Sequence, residues 1–204
     1  MPGTNCKVRK TRGREAVKEK DILNLFKETG ALLSGHFRLS SGLHSGNYFQ
    51  CALLLQYPDI AEKLCRELAS YFKEDKPTCV VAPALGGIIV SYETARALGV
   101  KSLFTERVEG KMALRRRFEL KKEDNVLIVE DVITTGLSTN EVLEAVKSKG
   151  AKIIGVGCVV DRSGKPLDFG VKLKSLVTLD FPTYTPEECP LCKSGVEITK
   201  PGSR

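Results

Sequence analysis

Residues 126–138, Val-Leu-Ile-Val-Glu-Asp-Val-Ile-Thr-Thr-Gly-Leu-Ser, restrict the fold more than any other stretch of this chain. The apolar run 126–129 does not alternate, which is the pattern of a parallel strand buried on both faces. It stops at Glu130 and Asp131. Thr134, Thr135, Gly136 and Ser138 then form a loop ahead of a helix over 138–149, in which Thr139, Val142, Leu143 and Val146 share a stripe and Gly150 supplies the stop. A strand, loop and helix in this order point the loop amides out of a helix N-terminus, where unpaired N–H groups and the helix dipole attract an anion. Threonine and serine hydroxyls add donors, and glycine lets a ligand approach the backbone.

The loop is neither Gly-x-x-x-x-Gly-Lys-Ser/Thr nor Gly-x-Gly-x-x-Gly. Its acids come first. Ionised carboxylates accept hydrogen bonds and cannot donate them, so two of them before an anion loop suit a ligand with vicinal hydroxyls beside its phosphate, such as a ribose 5-phosphate. An ordinary strand ending in a solvated turn capped by Ser138 would need neither two acids nor two threonines in this order.

The rest of the chain reads as repeated strand-helix alternation. A short amphipathic helix over 21–29 ends at Gly30, and 36–50 carries hairpin or loop chemistry. Pro58 opens a helix with Ile60, Leu64, Leu68 and Phe72 on one face. Strands are expected at 79–82, 102–105, 152–160 and 171–179, with a helix led in by Gly86-Gly87 and ended by Gly99. This predicts an α/β fold, a central mostly parallel sheet flanked by helices, with an irregular tail over 182–204. In such sheets ligands bind outside the carboxyl ends of the strands. The polar clusters 83–87, 106–107, 130–138 and 161–162 should therefore share one edge.

At 204 residues and 42% hydrophobic content the chain can fill one domain core. Its formal charge of +7 is concentrated in an N-terminal extension, residues 1–20, and in 107–117. The extension is expected to fray or to form a solvated first helical turn. No apolar segment is long enough to cross a bilayer and no signal-peptide core is present, so a cytoplasmic protein without a membrane partner is expected. Of the seven cysteines, Cys6, Cys51, Cys65, Cys79 and Cys158 read as reduced, mostly buried small hydrophobes. Cys189-Pro-Leu-Cys192 could be half of a zinc site, but neither a second pair nor a nearby histidine is evident. It is read as a structural turn, with an intersubunit zinc site or a redox pair as alternatives, and no metal ligands are assigned.

Two further segments carry chemistry. Ala84, Leu85, Gly86 and Gly87 offer backbone amides for a second phosphate, although a tight strand-to-helix turn would also need glycine. Arg107, Lys111, Arg115, Arg116 and Arg117, with Gly110 among them, form a run too basic for a core. It is either a solvated loop or a lid over anions.

The sequence Val-Glu-Asp-Val-Ile-Thr-Thr-Gly resembles the 5-phosphoribosyl 1-pyrophosphate (PRPP) signature of type I phosphoribosyltransferases. Residues 35–42 with His44, Ser45, Tyr48 and Phe49 are similar to the N-terminal hood of the orotate phosphoribosyltransferases in that family, and Asp161-Arg162 matches as well. The likeness spans roughly residues 21–180, and the order of its motifs is more specific than any single one. It implies a type I phosphoribosyltransferase fold over 21–204, with a small hood formed largely by the N-terminal segment at about 31–50. It implies transfer of ribose 5-phosphate from PRPP to orotate, with Mg2+ bound mainly through PRPP and pyrophosphate, in a homodimer.

By the same resemblance Glu130 and Asp131 hold the ribose hydroxyls, and Val132, Ile133, Thr134, Thr135, Gly136, Leu137 and Ser138 form the 5-phosphate loop. Residues 84–87 take the pyrophosphate. Arg107 and Lys111, with Asp131, are the catalytic candidates, the lid pair acting from either subunit. Thr134, Arg162, Tyr48 and Phe49 are expected to contact orotate. The chain departs from many members of the family at Ser40 and His44, where lysine is common, and at Val108. Its lid is short and lacks histidine, with Lys111 as its lysine. The Cys189–Cys192 pair and the ending at 200–204 resemble a bacterial and archaeal subgroup with a compact lid. The alternatives are a purine-base phosphoribosyltransferase, with no need of Arg162, and a PRPP-sensing nucleic-acid-binding regulator. The regulator is disfavoured because no helix-turn-helix precedes the fold and 107–117 lacks interleaved aromatics.

Overall fold

Alternate residues of each central strand go to opposite hydrophobic clusters, and this organises the molecule. In the computed structural model, which describes residues 19–39 and 41–200, β3 (Cys79–Pro83) sends Val80 and Ala82 to one face and Cys79 and Val81 to the other. The strand β6 (Asn125–Ile133) does the same with Leu127 and Val129 against Val126 and Ile128. A sheet covered on both faces explains the unbroken apolar runs seen in the sequence. The basic extension up to residue 18, Ser40 and residues 201–204 lie outside the described residues.

The main sheet has the order β5-β4-β3-β6-β7-β8, adding β4 (Lys101–Val108), β5 (Lys111–Leu114), β7 (Lys152–Asp161) and β8 (Leu173–Thr178). All neighbours pair in parallel except β4 with β5. On one face lie α1 (Glu19–Glu28), α2 (Cys51–Leu55), α3 (Pro58–Ser70) and α4 (Gly87–Leu98), supplying Ile22, Phe26, Leu54, Leu64, Leu68 and Val90 to the core. On the other lies α5 (Leu137–Lys147), with Val142, Leu143 and Val146. Phe72 just beyond α3 is fully buried, and a Cβ at Gly155 would stand 2.5 Å from its ring. The smallest residue on β7 thus admits the largest one from the helix layer.

The chain leaves β3 through α4 toward β4, and leaves β6 through α5 toward β7 on the opposite side. The crossover direction reverses between β3 and β6, which makes the gap beyond their carboxyl ends the topological switch point.

Three expectations need correction. The strand β6 does not stop at Glu130 and Asp131: its parallel ladder with β7 continues through Val132↔Val160 and Ile133↔Asp161. Pairing, not polarity, sets its end. Second, the basic segment, read as a solvated loop or a lid over anions, has strand structure up to Leu114. It is an antiparallel hairpin of β4 and β5 around Glu109-Gly110, both at positive φ (49° and 83°), as a two-residue hairpin turn requires. Third, the tail is structured. A second sheet, β1 (Leu32–Arg38), β2 (His44–Phe49) and β9 (Thr183–Tyr184), combines both ends of the chain, and Thr199 adds a parallel bridge to Phe37. The short α6 (Pro190–Lys193) packs below this hood and carries Cys189 and Cys192 to His36 and His44. The reading that no histidine lies near the cysteine pair is therefore overturned.

Candidate active site

The switch point gathers the residues that the sequence set apart. Glu130 and Asp131 occupy the last turn of the pleat in β6, and the Asp131 N–H donates to Glu130 Oε1 at 3.3 Å. Burial drives both carboxyls above their ordinary range, and the Asp131 charge pushes Glu130 further. A buried acid beside a half-buried one resists ionising with it until a hydrogen-bond donor arrives. The vicinal hydroxyls of a ribose are such donors.

Beyond them the chain turns through Thr134 and Thr135 to Gly136, which sits at φ 75° as the residue before α5. A Cβ there would meet Phe169 at 3.1 Å and Leu167 at 3.2 Å, so glycine is demanded by both conformation and space. A polar cavity of about 50 Å³ lies here, lined by Glu130, Val132, Thr134, Thr135, Ser138 and neighbouring residues. The Thr135 hydroxyl accepts from the Leu137 N–H at 3.4 Å, holding the first turn of α5 toward the cavity. The arrangement is an anion cradle at a helix N-terminus. Ile133 is the last residue of β6: its side chain is buried in the core, and it borders the same cavity.

The second loop lies directly across. Ala84 donates its N–H to Thr105 O at 2.8 Å, the Ala84–Leu85 peptide is cis, and Leu85 is 81% exposed. Gly86 and Gly87 lead into α4 against the acids. A Cβ at Gly86 would stand 2.6 Å from Asp131 Oδ2, and one at Gly87 would stand 3.3 Å from Glu130 Oε1. The 84–87 loop and the acid pair are therefore one crevice.

Arg162 follows β7 on the same edge, its N–H donating to Ile133 O at 2.8 Å. Its side chain is half-buried over Phe181, 5.2 Å from the ring centroid, and its buried Nε has no hydrogen-bond partner. Burial pulls this guanidinium below its ordinary value, and Tyr48 opposes that pull. Tyr48 is half-exposed in β2 and packs on Phe37 at 5.7 Å between centroids. Phe49 is turned inward: it is 4% exposed and packs on Phe26 at 4.4 Å between centroids, so it supports the hood from inside. Strand alternation separates these neighbours.

The lid candidates are placed elsewhere. Arg107 donates to both carboxylate oxygens of Glu141, one at 3.0 Å, and to Gly110 O. Lys111 opens β5 and is exposed. Among the described residues, no hydrogen bond or ion pair joins either cation to Glu130, Asp131 or residues 134–138 of the same chain. Glu141, which fixes Arg107 to α5, carried no signal in the sequence. Arg116 likewise pairs with Glu106, at 2.8 Å.

Similarity to known proteins agrees with this geometry. The phosphoribosyl transferase domain family matches residues 54–178. The orotate phosphoribosyltransferase of Pelotomaculum thermopropionicum is 56% identical over 184 residues, covering 90% of this chain and 97% of its own length. That of Desulforamulus reducens is 55% identical over 185 residues, covering 91% of this chain and 97% of its own. Among solved structures, the orotate phosphoribosyltransferase of Aeropyrum pernix superposes with a TM-score of 0.67 at 27% identity, over 78% of this chain and 93% of that one. The family match spans both phosphate loops, the acid pair and Arg162, and the relatives extend it to the hood. The chain belongs to the phosphoribosyl transferase family and, within it, to the orotate phosphoribosyltransferases.

Proposed function

We propose that this protein transfers the 5-phosphoribosyl group of PRPP to orotate with inversion at C1, releasing pyrophosphate and orotidine 5′-monophosphate. The observation that carries the choice of acceptor is Arg162. A half-buried guanidinium with an unpartnered Nε, beside the ribose-phosphate crevice, suits a planar carboxylate. Orotate carries one; adenine, guanine and hypoxanthine do not.

Each remaining residue then has a defined task. Amides and hydroxyls of residues 134–138 bind the 5-phosphate. Glu130 and Asp131 accept from the ribose hydroxyls and fix the ring, and their charge favours the positive character that C1 gains as its bond to pyrophosphate breaks. The amides of 84–87 hold the departing pyrophosphate, while Tyr48 and Thr134 border orotate. The crevice also offers hard oxygen donors in Glu130 and Asp131, which suits Mg2+ held mainly by PRPP oxygens and water. Bound there, magnesium supplies neutralisation of charge on the leaving group.

A homodimer is part of this reading. Arg107 and Lys111 do not meet the phosphate loops of their own chain, and the α4 side presents Leu85, Ile89 and Tyr92 as exposed large apolar residues. A second copy covering that face would bring a partner's hairpin to the crevice, where its cations would meet pyrophosphate and exclude water. A cytoplasmic location fits the unpaired Cys51, Cys65, Cys79 and Cys158. Among the described residues no helix is long and apolar enough to cross a membrane.

Steady-state turnover with PRPP and Mg2+, offering orotate, adenine, guanine and hypoxanthine in parallel, tests the proposal. Activity confined to orotate supports it. Activity confined to a purine, or salt-dependent nucleic-acid binding without turnover of any base, refutes it.

A further inference from the structure

The chain contains two histidines, and both meet the Cys-x-x-Cys of its tail. His36 and His44 face each other across the β1–β2 hairpin, Nε2 to Nδ1 at 3.1 Å. Cys189 and Cys192 flank the start of α6, opened by Pro190. Cys189 Sγ lies 3.5 Å from His36 Nε2, and Cys192 Sγ lies 3.6 Å from His36 Nε2 and 3.2 Å from His44 Nδ1. All four atoms fall within 4.8 Å of one another, and His36, His44 and Cys189 are buried.

Hydrogen bonding does not account for this cluster. The Nδ1–H of His36 donates to the Val196 carbonyl at 2.8 Å, since a carbonyl can only accept. That fixes the tautomer and leaves Nε2 with one bare lone pair. Three polar atoms converge on that lone pair within 3.6 Å, more than it can serve as a hydrogen-bond acceptor.

A metal accounts for it. With Zn–N of about 2.0–2.1 Å and Zn–S of about 2.3 Å, a tetrahedral ion requires N···S edges of about 3.5 Å and an N···N edge of about 3.3 Å. Three N···S edges of 3.2–3.6 Å and the N···N edge of 3.1 Å lie close to those lengths, and the whole set of four atoms stays within 4.8 Å. A histidine ligand held through its other nitrogen by a carbonyl is the usual outer support of such sites. Two thiolates and two imidazoles select zinc over the hard cations.

We infer that His36, His44, Cys189 and Cys192 form a structural Zn2+ site that fastens the C-terminal segment to the hood. With four protein ligands there is no open position for water or substrate, so the ion is structural and not catalytic. It is also distinct from the magnesium that enters with PRPP. Its consequence is mechanical. The site closes a loop of some 150 residues between β1 and α6, and β2, which carries His44, also carries Tyr48 of the crevice. Thr199 reinforces the same junction, its N–H donating to His36 O at 2.8 Å.

The test is metal analysis of the full-length protein purified without chelator, together with Co2+ substitution. The expected result is about one zinc per chain, lost in Cys189→Ser/Cys192→Ser, with cobalt giving intense tetrahedral visible bands and a thiolate charge-transfer band. Chelation should lower the melting temperature of the wild type. Less than a tenth of a zinc per chain, roughly, in protein from zinc-supplemented cells overturns the inference, as does a Cys189–Cys192 disulfide in freshly purified protein. Because the wild-type readings do not depend on a variant that folds, misfolding of the double serine variant leaves the test intact.

Discussion

Gly86 and Asp131 are in direct apposition: a methyl group on Gly86 would stand 2.6 Å from Asp131 Oδ2 and 2.8 Å from both Asp131 Cγ and Oδ1. Gly86 lies in the loop after β3 and Asp131 within β6, so the space between loop and strand holds no further heavy atom. Gly86 has a helical φ of −55°, so alanine is tolerated by its backbone and the effect is purely one of contact. Gly86→Ala should displace the Asp131 carboxylate by a fraction of an ångström to an ångström and cut kcat/KM for PRPP by about 10²-fold. Varying PRPP at saturating orotate measures this. An unchanged melting temperature alongside the loss would place the damage in the crevice, whereas unaltered PRPP kinetics would remove Asp131 from the ribose site.

The acid pair makes stability depend on pH in the direction opposite to that of most carboxylates. Glu130 and Asp131 are both held above their ordinary values by burial. The folded chain therefore binds more protons than the unfolded chain between the ordinary carboxyl range, near ~4, and the raised values. Stability from this source is complete below that window and is lost as pH rises through it. Glu130→Gln/Asp131→Asn removes the slope, so the melting temperature of the variant minus that of the wild type should increase with pH. Thermal unfolding of both proteins across the pH range, without ligand, measures it. PRPP should bind more tightly to the wild type as pH rises, because its hydroxyls donate to the ionised pair.

Arg162 gives the sharpest separation between the two substrates. Its replacement by lysine keeps the charge and loses the planar fork. A hydrogen bond to a charged group contributes about 1.5–3 kcal/mol, so Arg162→Lys should raise the orotate KM roughly 10- to 150-fold. The PRPP KM should change by far less, since the phosphate loops are built mainly from backbone. Equal rises in both constants would mean that Arg162 organises the whole edge of the sheet and does not grip the base.

The parts of this architecture visible in the sequence are those that depend on neighbours in the chain. Strand, acids, loop and helix over 126–138 are consecutive, and the Gly86-Gly87 turn follows its own strand, so both phosphate loops could be read. Features set by distant pairing could not. Glu130 and Asp131 belong to β6 because β7 continues the ladder beside them. Tyr48 and Phe49 are adjacent in sequence, but the hood's pleat leaves one half-exposed beside Phe37 and turns the other onto Phe26. Glu109-Gly110 was a legible hairpin signal, obscured by the charge around it. His36 and Cys189 are 153 positions apart, and nothing local to either announces the other.

The ion pair between Arg107 and Glu141 bears on which subunit each lid serves. Arg107 is tied to α5 of its own chain, two-pronged and partly exposed. An exposed pair of this kind contributes at most about 1 kcal/mol, so Glu141→Gln should leave the melting temperature nearly unchanged. What the pair does is tie the hairpin to α5. If the lid completes the partner's crevice, Lys111→Ala and Arg162→Ala disable different halves of one composite site. Each homodimer should then be weakly active. Unfolding, mixing and refolding them in equal amounts should restore roughly a quarter of the wild-type activity, because half of the dimers are mixed and each mixed dimer has one intact site. Size-exclusion chromatography must show dimers throughout. A lid that covers its own chain's crevice predicts no recovery at any mixing ratio, since every crevice in the mixed dimer then carries one defect or the other.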